Sequence, residues 1–139
     1  MKLSTNEIKN NIISTSSMEK LNDECINSMQ ECTLAEYLGE LLAAKKLSKK
    51  EVFNLADIDN VYGYQIFKGL RNPNRNILLR IAFGMSLTLE EADHLLYYGG
   101  SSSLYARDKR DAYIMYTLHN HYTVTEANEY LYNHNLDTI

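Results

Sequence analysis

The sequence predicts an all-α chain, and three observations carry that expectation. Leu, Ile, Ala and Tyr recur at spacings of three and four residues, the period of a helix face and not of a strand. The 139 residues include one Pro and six Gly, so little interrupts that period. The S/T-x-x-E form of a capping box, in which a hydroxyl and a carboxylate satisfy each other's backbone N–H, recurs at Ser4…Glu7, Ser16…Glu19, Thr33…Glu36, Ser48…Glu51, Thr88…Glu91 and Thr123…Glu126. Helices are expected over about 5–13, 17–29, 34–46, 49–56, 60–68, 75–85, 89–98, 108–120 and 124–133.

Residues 1–32 hold few large apolar side chains and read as an N-terminal helical arm that packs on the domain or frays. The helix from Lys49 starts at the Ser48-Lys49-Lys50-Glu51 box and has Val52, Leu55 and Ala56 as its expected buried stripe. Asp57-Ile58-Asp59 interrupts the pattern, and Asp59 is placed to cap the next helix from Asn60. Tyr62, Ile66 and Phe67 are that helix's inward anchors, Gly69 suits the left-handed residue that ends it, and Pro73 forbids continuation.

Shifting the chain by 35 residues lays RNILLRIAFGMSLTLEEADHLLYY on RDAYIMYTLHNHYTVTEANEYLYN, with Arg75 on Arg110, Thr88 on Thr123, Glu91 on Glu126 and Leu96 on Leu131. One helical hairpin thus occurs twice, with the Gly99–Ser103 run as a short, flexible joint and the second copy extending the same core. The expected organisation is an arm over 1–32, a domain over 33–98 and a C-terminal helical hairpin over 99–139.

The net charge of −4 is unevenly spread. Residues 1–32 carry −2, residues 33–80 carry +3 and residues 81–139 carry −5. Lys45, Lys46, Lys49, Lys50, Lys68, Arg71 and Arg75 gather in the positive block, the sign a nucleic-acid backbone attracts. Cys25 and Cys32 lack a CxxC partner and read as reduced thiols. Without a run of about 20 apolar residues or a hydrophobic leader, the chain is expected in the cytoplasm, on the nucleoid when DNA-bound, with no membrane partner.

Leu47-Ser48, Glu51, Ile58, Ile66, Gly69 and Arg71-Asn72-Pro73 fall without gaps on the pattern of the phage-repressor-like (Cro/CI or XRE) helix-turn-helix family, which the chain resembles from about Thr33 to Leu96. With the LYARDKRDA piece from Leu104 to Ala112, it is similar to Firmicute-type small regulators of that family with an extra C-terminal helical hairpin. The resemblance implies a lambda-repressor-like helix-turn-helix bundle and sequence-specific double-stranded DNA binding. The chain departs from the family at Lys49, Phe53, Asp57 and Asn60, where Gln, a small residue, Gly and Arg are usual. Gly63, facing Phe53 across the two helices, supplies the room that Phe53 needs.

Under that reading Asn60, Val61, Tyr64, Gln65 and Lys68 form the base-reading face. Gln65 suits a bidentate pair with adenine, Val61 a thymine methyl, and Tyr64 either a sugar and phosphate contact or the core. Ser48, Lys49 and Lys50, at a helix N-terminus, and Arg71, Asn72 and Arg75 are the expected phosphate contacts. A regulator of this kind acts as a homodimer on half-sites about 34–36 Å apart. The tyrosine-rich acidic C-terminal half offers a surface to a protein partner. The alternative is a protein-interaction adaptor that keeps the scaffold without binding DNA.

Catalysis is not expected. His119 and His121 are two apart and point to different sides of a helix, and no nucleophile signature or phosphate-cradling loop is present. No metal or cofactor is called for. The tyrosines read as core and interface material more than as a base-stacking platform.

Overall fold

The computed structural model describes residues 32–139, which form seven α-helices and, among the described residues, no strand. The helices are α1 (Leu34–Lys45), α2 (Lys49–Ala56), α3 (Asn60–Phe67), α4 (Arg75–Gly84), α5 (Leu89–Tyr98), α6 (Lys109–His119) and α7 (Val124–Asn133). The expected arm helices, their capping boxes and Cys25 lie outside the described residues. Cys32 is buried. Among the described residues no helix is long and apolar enough to cross a membrane.

Each helix begins at a side-chain cap, Thr33, Ser48, Asp59, Asn74, Thr88, Asp108 and Thr123 in turn, which accepts the N–H three residues on. Such a cap stabilises a helix start by about 1 kcal/mol, so the boundaries are set locally. The capping box closes in both directions at Thr88–Glu91 and Thr123–Glu126. At Ser48 the return arm differs from expectation: the hydroxyl accepts from Glu51 N–H at 3.2 Å but also donates to Glu51 Oε1 at 3.0 Å, which draws that carboxylate to the side chain.

Three hairpins, α1–α2, α4–α5 and α6–α7, share one turn. Lys46, Ser86 and His121 adopt φ of 55°, 50° and 60°. The next residues, Leu47, Leu87 and Tyr122, each return an N–H at 3.0 Å to Leu42, Ala82 and Thr117. The Ser or Thr that follows caps the second helix. The left-handed residue satisfies carbonyls that the ending helix would otherwise leave unpaired.

The core runs from Leu38 through Val52, Phe53, Ile66, Leu79 and Leu96 to Ile114, Leu118 and Leu131, so α6 and α7 share it with the rest. Helix α2 departs from the expected stripe: Val52, Phe53 and Ala56 are fully buried while Leu55 is 52% exposed. A face centred between Val52 and Phe53 leaves Leu55 about 100° away at helical pitch.

The α4–α5 and α6–α7 hairpins repeat each other's hydrogen bonds at a 35-residue spacing. Arg75 donates from Nε and Nη2 to the carbonyls of Ser102 and Ser103. Arg110 donates from the same atoms to Asp137 and Thr138. Asp93 Oδ1 accepts from Leu104 N–H at 2.9 Å, and Asn128 Oδ1 accepts from Ile139 N–H at 2.8 Å. The joint expected to be flexible is therefore fastened to both helices of its own hairpin. Across the hairpins the contacts are reciprocal: Arg75 grips Asp111, and Arg110 donates to Asn76, the counterpart of Asp111, at 2.9 Å. Helix α4 meets α7 and α5 meets α6, the arrangement of a local two-fold axis.

Candidate nucleic-acid interface

Helices α2 and α3 are joined by Asp57, Ile58 and Asp59. Asp57 closes α2 in the left-handed region (φ 56°), which an Asp tolerates better than most side chains, and its N–H returns to Asn54 and Phe53. Asp59 Oδ2 then accepts from Tyr62 N–H at 3.2 Å and starts α3. The close approach of the two helices depends on Gly63: an added Cβ would lie 2.6 Å from the Phe53 ring. Phe53 sits edge-on to Phe67 and Tyr64, with centroids 5.3 and 5.0 Å away. Ile66, Phe67 and Gly63 thus fasten one side of α3 and fix which side faces outward.

On that outward side Asn60, Val61 and Lys68 are exposed, Val61 to 66%. Tyr64 packs on Phe53, as the core reading expects, while 38% of its surface stays open. Gln65 is half-buried, and its Oε1 accepts from Arg71 Nε at 3.2 Å, so its amide is held by a cation from beyond the helix end. Gly69 (φ 79°) turns the chain there, with Leu70 N–H returning to Gln65 O at 2.8 Å. Leu70 projects into solvent, 72% exposed, beside exposed Arg71 and Asn72.

Ser48 and Lys50 are exposed and Lys49 half-buried at the start of α2. A groove of about 560 Å³ separates this start from that of α3, lined by Ser48, Lys50, Glu51, Phe53, Asn54, Asp57, Ile58 and Asn60. The first-turn N–H groups of α2 carry the positive end of its dipole.

Arg75 does not belong with these residues. Its Nη1 and Nη2 each bind an oxygen of Asp111 at 2.9 Å, and its remaining bonds go to Ser102 and Ser103. Burial works to raise the Asp111 carboxyl, but Arg75, the Tyr105 N–H and Arg110 outweigh it and hold it below the usual range. A guanidinium with its donors turned inward is a structural clamp, and the expected phosphate role is corrected accordingly. Lys45 is likewise engaged, 3.1 Å from Glu91.

Comparison with family models, curated proteins and solved structures finds no match to this chain. The residues themselves are therefore the ground for assigning a function. Among the described residues no group of three or more His, Cys, Asp or Glu is gathered as a metal centre requires. His119 and His121 are both exposed, one at the end of α6 and one in the turn.

Leu70 and Leu55 were not expected at the surface. No local signal marks Leu70: Leu47 and Leu87 likewise follow a left-handed helix stop, and both turn inward against the core.

Proposed function

We propose that the chain is a sequence-specific reader of double-stranded DNA, a transcriptional regulator acting as a dimer on an operator. In this reading α2 and α3 are the helix-turn-helix of a lambda-repressor-like bundle and α3 enters the major groove. The observation that carries it is the outer face of α3, where Asn60, Val61, Tyr64 and Lys68 stay open while Gly63, Ile66 and Phe67 anchor the opposite side. A valine 66% exposed at a helix start gains from apolar cover, which a thymine methyl supplies. Gln65, steadied by Arg71, serves a bidentate contact to adenine. Ser48, Lys49 and Lys50 with Arg71 and Asn72 make the phosphate contacts that set register.

The test is fluorescence anisotropy of the full chain with a randomised duplex library at about 50 and about 200 mM salt, followed by sequencing of the bound fraction. Lys49, Lys50 and Arg71 from two subunits give six phosphate contacts, hence a salt slope of about −5 and a loss of about 10³-fold over that range. An enriched inverted repeat is the expected outcome. No binding at the lower salt would sink the reading and leave the adaptor alternative.

A further inference from the structure

The outer side of α6–α7 is the counterpart of a surface that the chain itself covers in the first hairpin. There, α1 and α2 lie over α4–α5. A Cβ at Gly84 would stand 3.0 Å from Ala56 Cβ, Glu91 is bridged by Lys45 at 3.1 Å, and His94 meets Tyr37 edge-on at 6.4 Å. Thirty-five residues on, these positions are His119, Glu126 and Glu129, all exposed. Leu78, Ile81, Leu87 and Leu95, each 0–2% exposed, give way to Tyr113, Tyr116, Tyr122 and Tyr130. Side chains that require cover are replaced by ones that offer a ring for packing and a hydroxyl for water. The rings form one aromatic surface around Tyr130, with centroids 5.4, 5.7 and 6.1 Å from those of Tyr113, Tyr116 and Tyr122, and His134 stacks on Tyr130 at 4.6 Å.

We infer that two copies of this chain pair face to face through this tyrosine surface, related by a two-fold axis. The middle of the face is aromatic, as an interface core is, with exposed Glu129 beside Tyr130 as its one carboxylate. Its outlying charges are self-complementary. Lys109, 5.9 Å over the Tyr113 ring, stands at the open end of the hairpin, and Glu126 stands at the turn end. Laying one α6–α7 antiparallel on its copy brings Lys109 of each to Glu126 of the other. That carboxylate position already takes a lysine in the first hairpin, where Glu91 meets Lys45. The inference rests on the dimeric DNA reader by supplying its dimer surface, and its test omits DNA, so each can fail without the other.

The experiment is sedimentation equilibrium of the full chain without DNA, on the order of 50 μM and diluted from there. Wild type sediments as a dimer. Tyr116→Arg, at a side chain 50% exposed and so tolerated by the fold, weakens pairing about tenfold or more while leaving the thermal melt of the monomer in place. Lys109→Gln and Glu126→Gln each weaken pairing several-fold, and the double variant is no weaker than either single one, because both remove the same contact. Gln at position 126 keeps the bond to Thr123 N–H. A dimer indifferent to Tyr116→Arg, or charge losses that multiply, overturns the proposal. So does a monomeric wild type, and hydrogen exchange across α6–α7 then reports whether residues 1–31 or nothing covers the face.

Discussion

Gly63→Ala isolates the contact on which the placement of α3 depends. The new methyl would stand 2.6 Å from Cδ1 and Cε1 of Phe53 and 2.8 Å from Cζ, about 1 Å inside ordinary contact. Phe53 has no exposed surface, and its ring is wedged between Phe67 and Tyr64. Relief therefore comes by displacing Tyr64, the partly open member of the trio. Overpacking of this kind costs about 1–3 kcal/mol, against about 1 kcal/mol gained by replacing Gly within a helix. The expected net loss is about 1 kcal/mol, a fall in melting temperature of about 4 °C for a chain of this size. Urea unfolding of four proteins decides the matter: wild type, Gly63→Ala, Phe53→Leu and the double variant. With Leu at position 53 the obstacle is gone, and Gly63→Ala becomes stabilising by about 1 kcal/mol, a coupling of about 2 kcal/mol. If Gly63→Ala stabilised both backgrounds equally, the close approach of α2 and α3 would not be what that glycine is for.

Asp111→Ala leaves the Arg75 guanidinium and the Tyr105 N–H without their acceptor and is expected to cost about 3 kcal/mol in urea unfolding. Arg110→Ala costs less, because its cross-hairpin partner Asn76 is neutral; an equal loss would contradict the weight given to the ion pair. Asp111 and Glu91 are both held below the usual carboxyl range, burial being outweighed by Arg75 in one case and by the Thr88 N–H with Lys45 in the other. Their contribution is whole above the unfolded carboxyl pKa of about 4 and is lost as pH falls through their lowered folded values, so melts should fall steeply below about pH 4 and less steeply in Asp111→Asn. Ser86→Gly removes a left-handed Ser at φ 50° and should raise stability by about 0.5–1 kcal/mol, whereas an unchanged melt would show the turn to be unstrained. Lys49→Ala with Lys50→Ala should reduce the DNA salt slope by about 2 per subunit at unchanged stability.

What the sequence revealed most clearly is what depends on neighbours along the chain. The capping residues Ser48, Thr88 and Thr123 gave α2, α5 and α7 their observed limits, because a cap involves four consecutive residues. The room that Phe53 finds at Gly63 was also legible, since a hairpin brings those positions together. Arg75 was misread because its partner lies 36 residues away and its immediate setting, after Arg71-Asn72-Pro73, is basic. Even so, the repeat sets Arg75 on Arg110, and an arginine kept at one repeat position in both copies suggests a role in the hairpin itself. Gln65 met Arg71 through the path of the chain after Gly69, which a helical wheel does not describe. The change from Leu78, Ile81, Leu87 and Leu95 to four tyrosines stands in the aligned copies; knowing which side α1 and α2 cover gives that change its meaning.

The α4–α5 hairpin is packed on both sides, by α1 and α2 on one and by α6 and α7 on the other. In a stack of this kind each hairpin draws stability from the ones it touches, so an end unit opens at less cost than the middle one. In the monomer, diluted below the concentration at which two copies pair, amides of α6 and α7 should therefore exchange ahead of those in α4 and α5, which wait for the whole chain to unfold. The same asymmetry makes Leu79 and Ile81, central in that hairpin and fully enclosed, natural members of the folding nucleus. Weakening them would slow assembly, whereas weakening Ile114 or Leu131 at the end would chiefly hasten its undoing.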